Sequence, residues 1–200
     1  LVQAKQRNGY RNTRKGSLNN KRIAQVVSGN TKVFKRRDET VAPNTAIHIL
    51  VDMSGSMASA LPNGEFCYSV AQESAAALAL ALEPIKGVSS AVTYFESEVK
   101  AVKRRNETVA SKIASFGSQP TNTTELAEAM WFAGYELSQC KEDRKVIMVI
   151  TDGEPDCQRS VKKITKLCTD SGIEVLAIGI KTDSVLALFK SSVVIESALD

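Results

Sequence analysis

The sequence predicts an α/β fold: a doubly wound, mostly parallel central sheet with helices on both faces and one antiparallel edge strand. Three observations predict it. Apolar, β-branched runs alternate with runs of helix formers from residue 42 onward, the pattern of strands joined by crossover helices. The runs NTAIHILVD, RKVIMVITDG and IEVLAIGI are apolar at successive positions, as strands covered on both faces must be. One pair of runs, VSSAVTYFES and EVKAVK, lies too close together for a crossover, so the second reads as a hairpin partner at the sheet edge.

The elements follow in order. NTAIHILVD is a central strand ending near Asp52. EFCYSVAQESAAALALALE is dense in Ala, Leu and Glu and is closed by Pro84, which makes it a helix. After the edge hairpin, ETVASKIASF reads as a short helix. The loop GSQPTNTT then leads into ELAEAMWFAGYELSQ, where Leu126, Met130, Ala133 and Leu137 recur at helical spacing. RKVIMVITDG is the strongest buried-strand signal. CQRSVKKITKLCTDSG is a helix expected to turn Val161, Ile164, Leu167 and Cys168 inward, with Gly172 at its C-terminal cap. IEVLAIGI, SVLALFK and SVVIES complete the chain as strand, short helix and last strand.

Charge divides the chain. The formal net charge is +4, but residues 1–41 hold eleven Lys/Arg against two Asp/Glu, and the remainder fifteen against twenty. Two domains are therefore expected: a basic N-terminal arm over 1–41 and a folded domain over 42–200. The arm reads as irregular, with a helical turn in KRIAQVVSG and one short strand in TKVFKRR. No apolar run approaches the roughly 20 residues that span a bilayer. The chain opens Leu-Val-Gln without an initiator methionine, which reads as a piece of a longer protein. Cys67, Cys140, Cys157 and Cys168 show no C-x-x-C spacing. Read as reduced thiols, they point to the cytoplasm.

The chemistry is carried by three loops. Asp52 ends the first central strand and opens D-x-S-x-S with Ser54 and Ser56; Asp152 ends the VIMVIT strand; Thr123 and Thr124 lie in the loop before a long helix. In a parallel sheet all three loops emerge on one edge, where ligands bind at the point of strand-order reversal. Two carboxylates and three hydroxyls make an all-oxygen set, which suits a hard divalent cation such as Mg²⁺. Neutral hydroxyls fill coordination places without adding charge, so the ion can still accept a carboxylate from another molecule. Alternate spacing lets one tight turn aim three side chains at one point, and Gly55 is expected to ease that turn. The bland alternative is that these hydroxyls cap the following helices. Glu154 and Asp156 read as solvated or capping residues. His48, the only histidine, sits mid-strand as a packing residue with no nucleophile beside it. Trp131 and Phe132 read as helix packing residues, one of them reaching the surface.

DMSGSM, TNTTELAEAM and TDGEPD together resemble the von Willebrand factor A (VWA) domain, a Rossmann-like fold, and its metal-ion-dependent adhesion site (MIDAS). The resemblance covers about residues 44–196. It implies a metal held by Asp52, Ser54, Ser56, Thr124 and Asp152. The family's second motif is commonly G-G-T, and here it is Asn122-Thr123-Thr124; helix register favours Thr124, and Thr123 stays open. A finer resemblance links the basic lead-in, TAIHILVDMSGSM and TDGEPD to the C-terminal domain of the cobaltochelatase subunit CobT and to VWA proteins associated with MoxR-type AAA+ ATPases. It implies a non-catalytic, cytoplasmic interaction module that binds Mg²⁺, with Mn²⁺ or Ca²⁺ as substitutes. Its implied partner is a protein presenting an Asp or Glu, such as an AAA+ ATPase or its client, with cobalt insertion in cobalamin biosynthesis as one setting.

Two other functions compete. A Mg²⁺-dependent hydrolase or phosphotransferase would use the same aspartates, but the loops lack an evident general base or phosphate-binding lysine. Nucleic-acid binding by the arm is disfavoured, because only Tyr10 and Phe34 interleave its basic residues. The chain has no G-x-x-x-x-G-K-[ST], so it carries no phosphate cradle of its own. No membrane contact is expected.

Overall fold

The structure is a computed structural model that describes residues 3–15, 17–19, 21, 25, 28–121, 123–153 and 155–195. It divides into two units at Pro43/Asn44. The first unit is a three-stranded antiparallel sheet of β1 (Gln3–Thr13), β2 (Ser17–Leu18) and β3 (Phe34–Pro43), in the order β1-β3-β2. The expectation of an irregular arm with one short strand is corrected here. Polar strands such as QAKQRNGYRNT carry no apolar alternation, and this sheet is held by backbone pairing from Gln3↔Pro43 to Thr13↔Phe34 with a bulge between Arg7 and Tyr10. The helical turn expected in KRIAQVVSG falls mostly outside the described residues.

In the second unit a six-stranded sheet runs in the order β6-β5-β4-β7-β8-β9. Its strands are β4 (Thr45–Asp52), β5 (Val88–Phe95), β6 (Val99–Lys103), β7 (Arg144–Thr151), β8 (Ile173–Ile180) and β9 (Ser192–Ile195). All neighbours are parallel except β5 and β6, which is the predicted edge hairpin. The helices are α1 (Cys67–Leu82), α2 (Val109–Phe116), α3 (Leu126–Ser138), α4 (Gln158–Asp170) and α5 (Ser184–Leu188).

The pleat sorts β4 between two cores. Ala46 and Leu50 join Leu126, Met130 and Leu137 of α3 with Val161 of α4. Ile49 and Val51 join Ala71, Ala75 and Ala79 of α1. Those alanines recur every fourth residue and are fully buried, so α1 lies close on the sheet along a stripe of small side chains. Near α2, the buried Tyr94 hydroxyl donates to the Phe116 carbonyl at 2.8 Å.

Two sequence expectations divide on α4. Val161 and Cys168 are buried and Ile164 packs against the core, and Gly172 takes the left-handed cap conformation at φ 78°. Leu167 is exposed. At about 100° per residue it lies roughly 100° round the helix from the Val161–Cys168 line, beyond the edge of the buried stripe. On α3, Trp131 reaches the surface while Phe132 is half-buried.

After β8 the chain turns sharply into α5. A Cβ on Gly179 would lie 2.6 Å from the Thr182 carbonyl oxygen and 2.7 Å from Val185 Cγ2. The first of these is backbone and cannot swing aside. Gly179→Ala is therefore expected to cost about 2–3 kcal/mol. It should lower the urea midpoint without changing the m-value; an unchanged midpoint would show that the turn gives way freely.

Candidate functional site at the sheet switch point

The order β5-β4-β7 makes β4 the strand from which the chain winds both ways, so the crevice beyond its C-terminal end is where the fold places a ligand site. Registers of Val51↔Ile150 and Asp52↔Phe95 bring the ends of β4, β5 and β7 level. Asp52 is fully buried there. One carboxylate oxygen accepts the Ser54 N–H at 2.8 Å and the other accepts the Thr151 hydroxyl at 2.5 Å.

The D-x-S-x-S loop is held by Asp52, by Met53 within the motif and by Met57 just after it. Met53 and Met57 are buried. Met53 also donates its N–H to the Phe95 carbonyl and accepts the Thr121 N–H, at 2.9 and 2.8 Å. The chain then enters a short 3₁₀ turn, Gly55–Ala58. The turn needs no left-handed residue, since Gly55 is not among the glycines of positive φ. With the methionines inward, the serines line up with the neighbouring loop. Ser54 Oγ lies 3.0 Å from Ser56 Oγ, and the Ser56 hydroxyl donates to Asp152 Oδ1 at 2.7 Å. A Cβ on Gly153 would meet Ser56 Oγ at 3.3 Å, so the smallness of Gly153 lets the two loops approach.

Asp52, Ser54, Ser56 and Asp152 thus form one continuous hydrogen-bonded array. Thr124 stands outside this array; its N–H donates to Asp156 Oδ2 at 3.1 Å, in the loop that follows Asp152. The half-buried Thr124 is nearer the interior than the exposed Thr123. The capping alternative fails for the serines and threonines described. Ser54 begins the 3₁₀ turn without a side-chain cap bond, and the residue that begins α3 is Glu125, also without one. Asn122 and Glu154 lie outside the described residues.

Sequence reasoning missed three supporting groups. Thr151 anchors Asp52 and also accepts the Gly153 N–H at 3.2 Å; its only signal was its place before Asp-Gly at a strand end. Asp156 clasps the threonine loop to the aspartate loop. The Ser184 hydroxyl donates to the Gly153 carbonyl at 3.2 Å, which ties in the start of α5.

Burial sets the electrostatics. It pushes the Asp52 carboxyl up to about 6, against the lowering effect of its bonds from Thr151 and Ser54, with the nearby Asp152 charge adding to the rise. Burial also raises Asp152, partly offset by the Ser56 hydroxyl. Two desolvated carboxylates at one sheet edge thus lack compensating positive charge. His48 takes no part. It lies four residues back along β4, about 13 Å away, with Nε2 at 2.8 Å from Thr93 Oγ1. Burial first, then the Arg105 charge, drive its pKa down to about 3.

The raised carboxyl fixes a sign. An acid whose folded pKa exceeds its unfolded value destabilises the fold once ionised. In the absence of divalent ions, stability is expected to fall as pH rises from about 4 to about 6 and then level off, a loss on the order of 2 kcal/mol. Asp52→Asn keeps the shape without the charge. It should be more stable than the wild type at pH 7.5 by that amount, with the gap closing by pH 4. Urea titrations of both proteins in chelator at the two pH values check this, and a gap independent of pH would contradict it.

The fold has known counterparts. The sequence matches the family model of the von Willebrand factor type A domain over residues 46–191. Among solved structures, the fold is similar to the VWA domain of SpRpn10, with a TM-score of 0.64 at 9% identity over 75% of this chain and 88% of that one. It is also similar to the manganese-loaded TRAP protein of Plasmodium vivax, at 0.60 and 14% over 76% and 68%. A third is proximal thread matrix protein 1 from the mussel byssus, with a zinc-occupied MIDAS motif, at 0.63 and 19% over 80% and 43%. No curated protein matches the chain. With the family model covering most of its length, the chain belongs to the von Willebrand factor type A domain family.

Proposed function

We propose that the chain is a metal-dependent protein-binding module. Asp52, Ser54, Ser56, Thr124 and Asp152 hold Mg²⁺, with Mn²⁺ or Ca²⁺ as substitutes, and a partner's Asp or Glu completes the shell. The observation that carries this reading is the convergence of two carboxylates of raised pKa with two serine hydroxyls that cap no helix. All donors are oxygen, as a hard divalent ion requires. A bound ion would supply the positive charge the carboxylates lack and an open position for the partner's carboxylate. Neighbours described as manganese-loaded and as having a zinc-occupied MIDAS support a divalent ion here.

The chain's own residues do the positioning. Thr151 and the Ser54 N–H hold Asp52 in one orientation, and Asp156 keeps the threonine loop against the aspartate loop. A non-catalytic role fits the chemistry of the site: the histidine is buried, neutral and hydrogen-bonded to Thr93, so metal-assisted hydrolysis would have no imidazole base. Docking to an AAA+ ATPase or its client, with cobaltochelatase as one setting, rests on the sequence resemblance to CobT and to MoxR-associated proteins. A cytoplasmic setting rests on the four free thiols. Among the described residues no helix is long and apolar enough to cross a membrane.

The test is a Mn²⁺ titration followed by EPR on the wild type, Asp152→Ala and Asp52→Ala, with circular dichroism to confirm folding. One site in the wild type, weakened at least about a hundredfold in each folded variant, is expected. A Mn²⁺ site that survives both substitutions would overturn the assignment. In a second arm, binding of a partner carrying an acidic residue should vanish in EDTA and return with Mg²⁺.

A further inference from the structure

The outer face of the α3–α4 layer carries an apolar patch that the metal site does not use. Trp131, the only tryptophan in the chain, is 56% exposed, and Tyr135 one turn later is 62% exposed. Leu167 on α4 stands opposite them at 48%. Between the helices they rim a cavity of about 220 Å³, whose buried lining is Met130, Gly134, Cys168 and Ile173. Gly134 helps to keep it open, since a Cβ there would already lie 3.3 Å from Cys168 Sγ. An apolar cavity of about 150 Å³ is enough to hold a benzene ring.

The charges beside the patch are sorted. Glu98 and Glu128 line the groove on the β6 side of Trp131. Lys163 and Lys166 line the groove on the α4 side, together with Glu128 and Asp170. Solvent-facing α4 also carries Arg159 and Lys162, so its surface is basic while that of α3 is acidic.

We infer that this face pairs with a second copy of the same chain as a two-fold dimer. A two-fold interface sets one patch against itself, so the patch must hold both halves of every complementarity. This one does. A projecting indole stands beside an aromatic-sized hole, and an acidic helix lies beside a basic one. With the two-fold axis running along the helices between them, α3 of each copy lies over α4 of the other. Acid then faces base, and each Trp131 meets the other copy's cavity. Exposed Trp and Tyr are also the residues that dominate interface energetics. Each helix has 13 residues, about 20 Å of length. A face of that length is small beside the interfaces of stable dimers, so a weak dimer is expected.

The test uses the 200-residue chain in EDTA, so that the metal reading has no bearing on the outcome. Sedimentation velocity is run from about 2 to 500 μM, a range that brackets a weak interface, and tryptophan emission is read on the same samples. Trp131 alone reports the emission. Expected are a rise in sedimentation coefficient and a blue shift that follow one concentration curve. Trp131→Ala should move self-association at least tenfold higher in concentration. The double change Lys163→Glu with Lys166→Glu should do the same, and adding Glu128→Lys should recover most of that loss. All four positions are surface ones, so folding is not at stake. A chain that stays monomeric throughout overturns the inference and leaves the patch to a different protein. A dimer whose tryptophan emission is flat, or which ignores Trp131→Ala, overturns it in favour of another face.

Discussion

The buried carboxylate of Asp52 is the constraint on which the rest of the site depends. It closes β4 at the point where the sheet winds both ways, and it holds two loops at once: its own, through the Ser54 N–H, and that of β7, through the Thr151 hydroxyl. The array that follows, Ser54 to Ser56 to Asp152, can form only because those loops are already level. Strand register does that levelling. Val51 faces Ile150 and Asp52 faces Phe95, so a slip of one residue would turn Asp52 to the other face and take Leu50 out of its core.

Two buried methionines fix the loop that carries the motif. Met53 lies between Asp52 and Ser54 and Met57 directly follows Ser56, and both are buried, while Gly55 between the two serines is exposed. Met53 continues the sheet's hydrogen bonding to Phe95 and receives the threonine loop through Thr121; Met57 plugs the core beneath the 3₁₀ turn. The oxygens are thus aimed by apolar anchors as much as by one another. Outside this loop, Ser184, Gly153 and Asp156 add ties from α5 and the threonine loop. Each tie involves backbone, which fixes loop position more tightly than a contact between two long side chains does.

Legibility in the sequence followed burial. β4, β7 and β8 were readable because strands covered on both faces must be apolar throughout, and the β5–β6 hairpin because its runs are too close for a crossover. Asp52, Ser54, Ser56 and Asp152 were readable as candidates because oxygen-bearing side chains fell at the ends of such strands. The β1–β3 pairing was not, since it is made by backbone bonds between polar segments and leaves no hydrophobic period. Leu167 misled because periodicity marks a helix face without marking where that face ends. Thr151 and Asp156 were hidden for another reason: their roles depend on loops 30 or more residues apart meeting in space, and spacing along the chain does not record that. Thr124 stands between the two cases, favoured by helix register but held by Asp156 and not by the array itself.

A carboxylate that costs stability is a poor structural element, and this fold keeps two. Asp52 and Asp152 are both raised by burial, so at neutral pH the site stores unfavourable charge. A neutral Asn could keep the hydrogen-bond geometry of Asp52 at lower cost, since its carbonyl accepts the Ser54 N–H and its amide faces the Thr151 hydroxyl. The hydrogen bonds of Asp52 therefore do not require its charge. The surroundings bear the burden: β4 is buried on both faces and lies between β5 and β7. In such a setting a loss on the order of 2 kcal/mol is tolerable against a typical stability of about 5–15 kcal/mol. The unfavourable charge sits at the one sheet edge where strand ends, helix starts and three loops already converge, and burial at that edge is what raises both carboxyls.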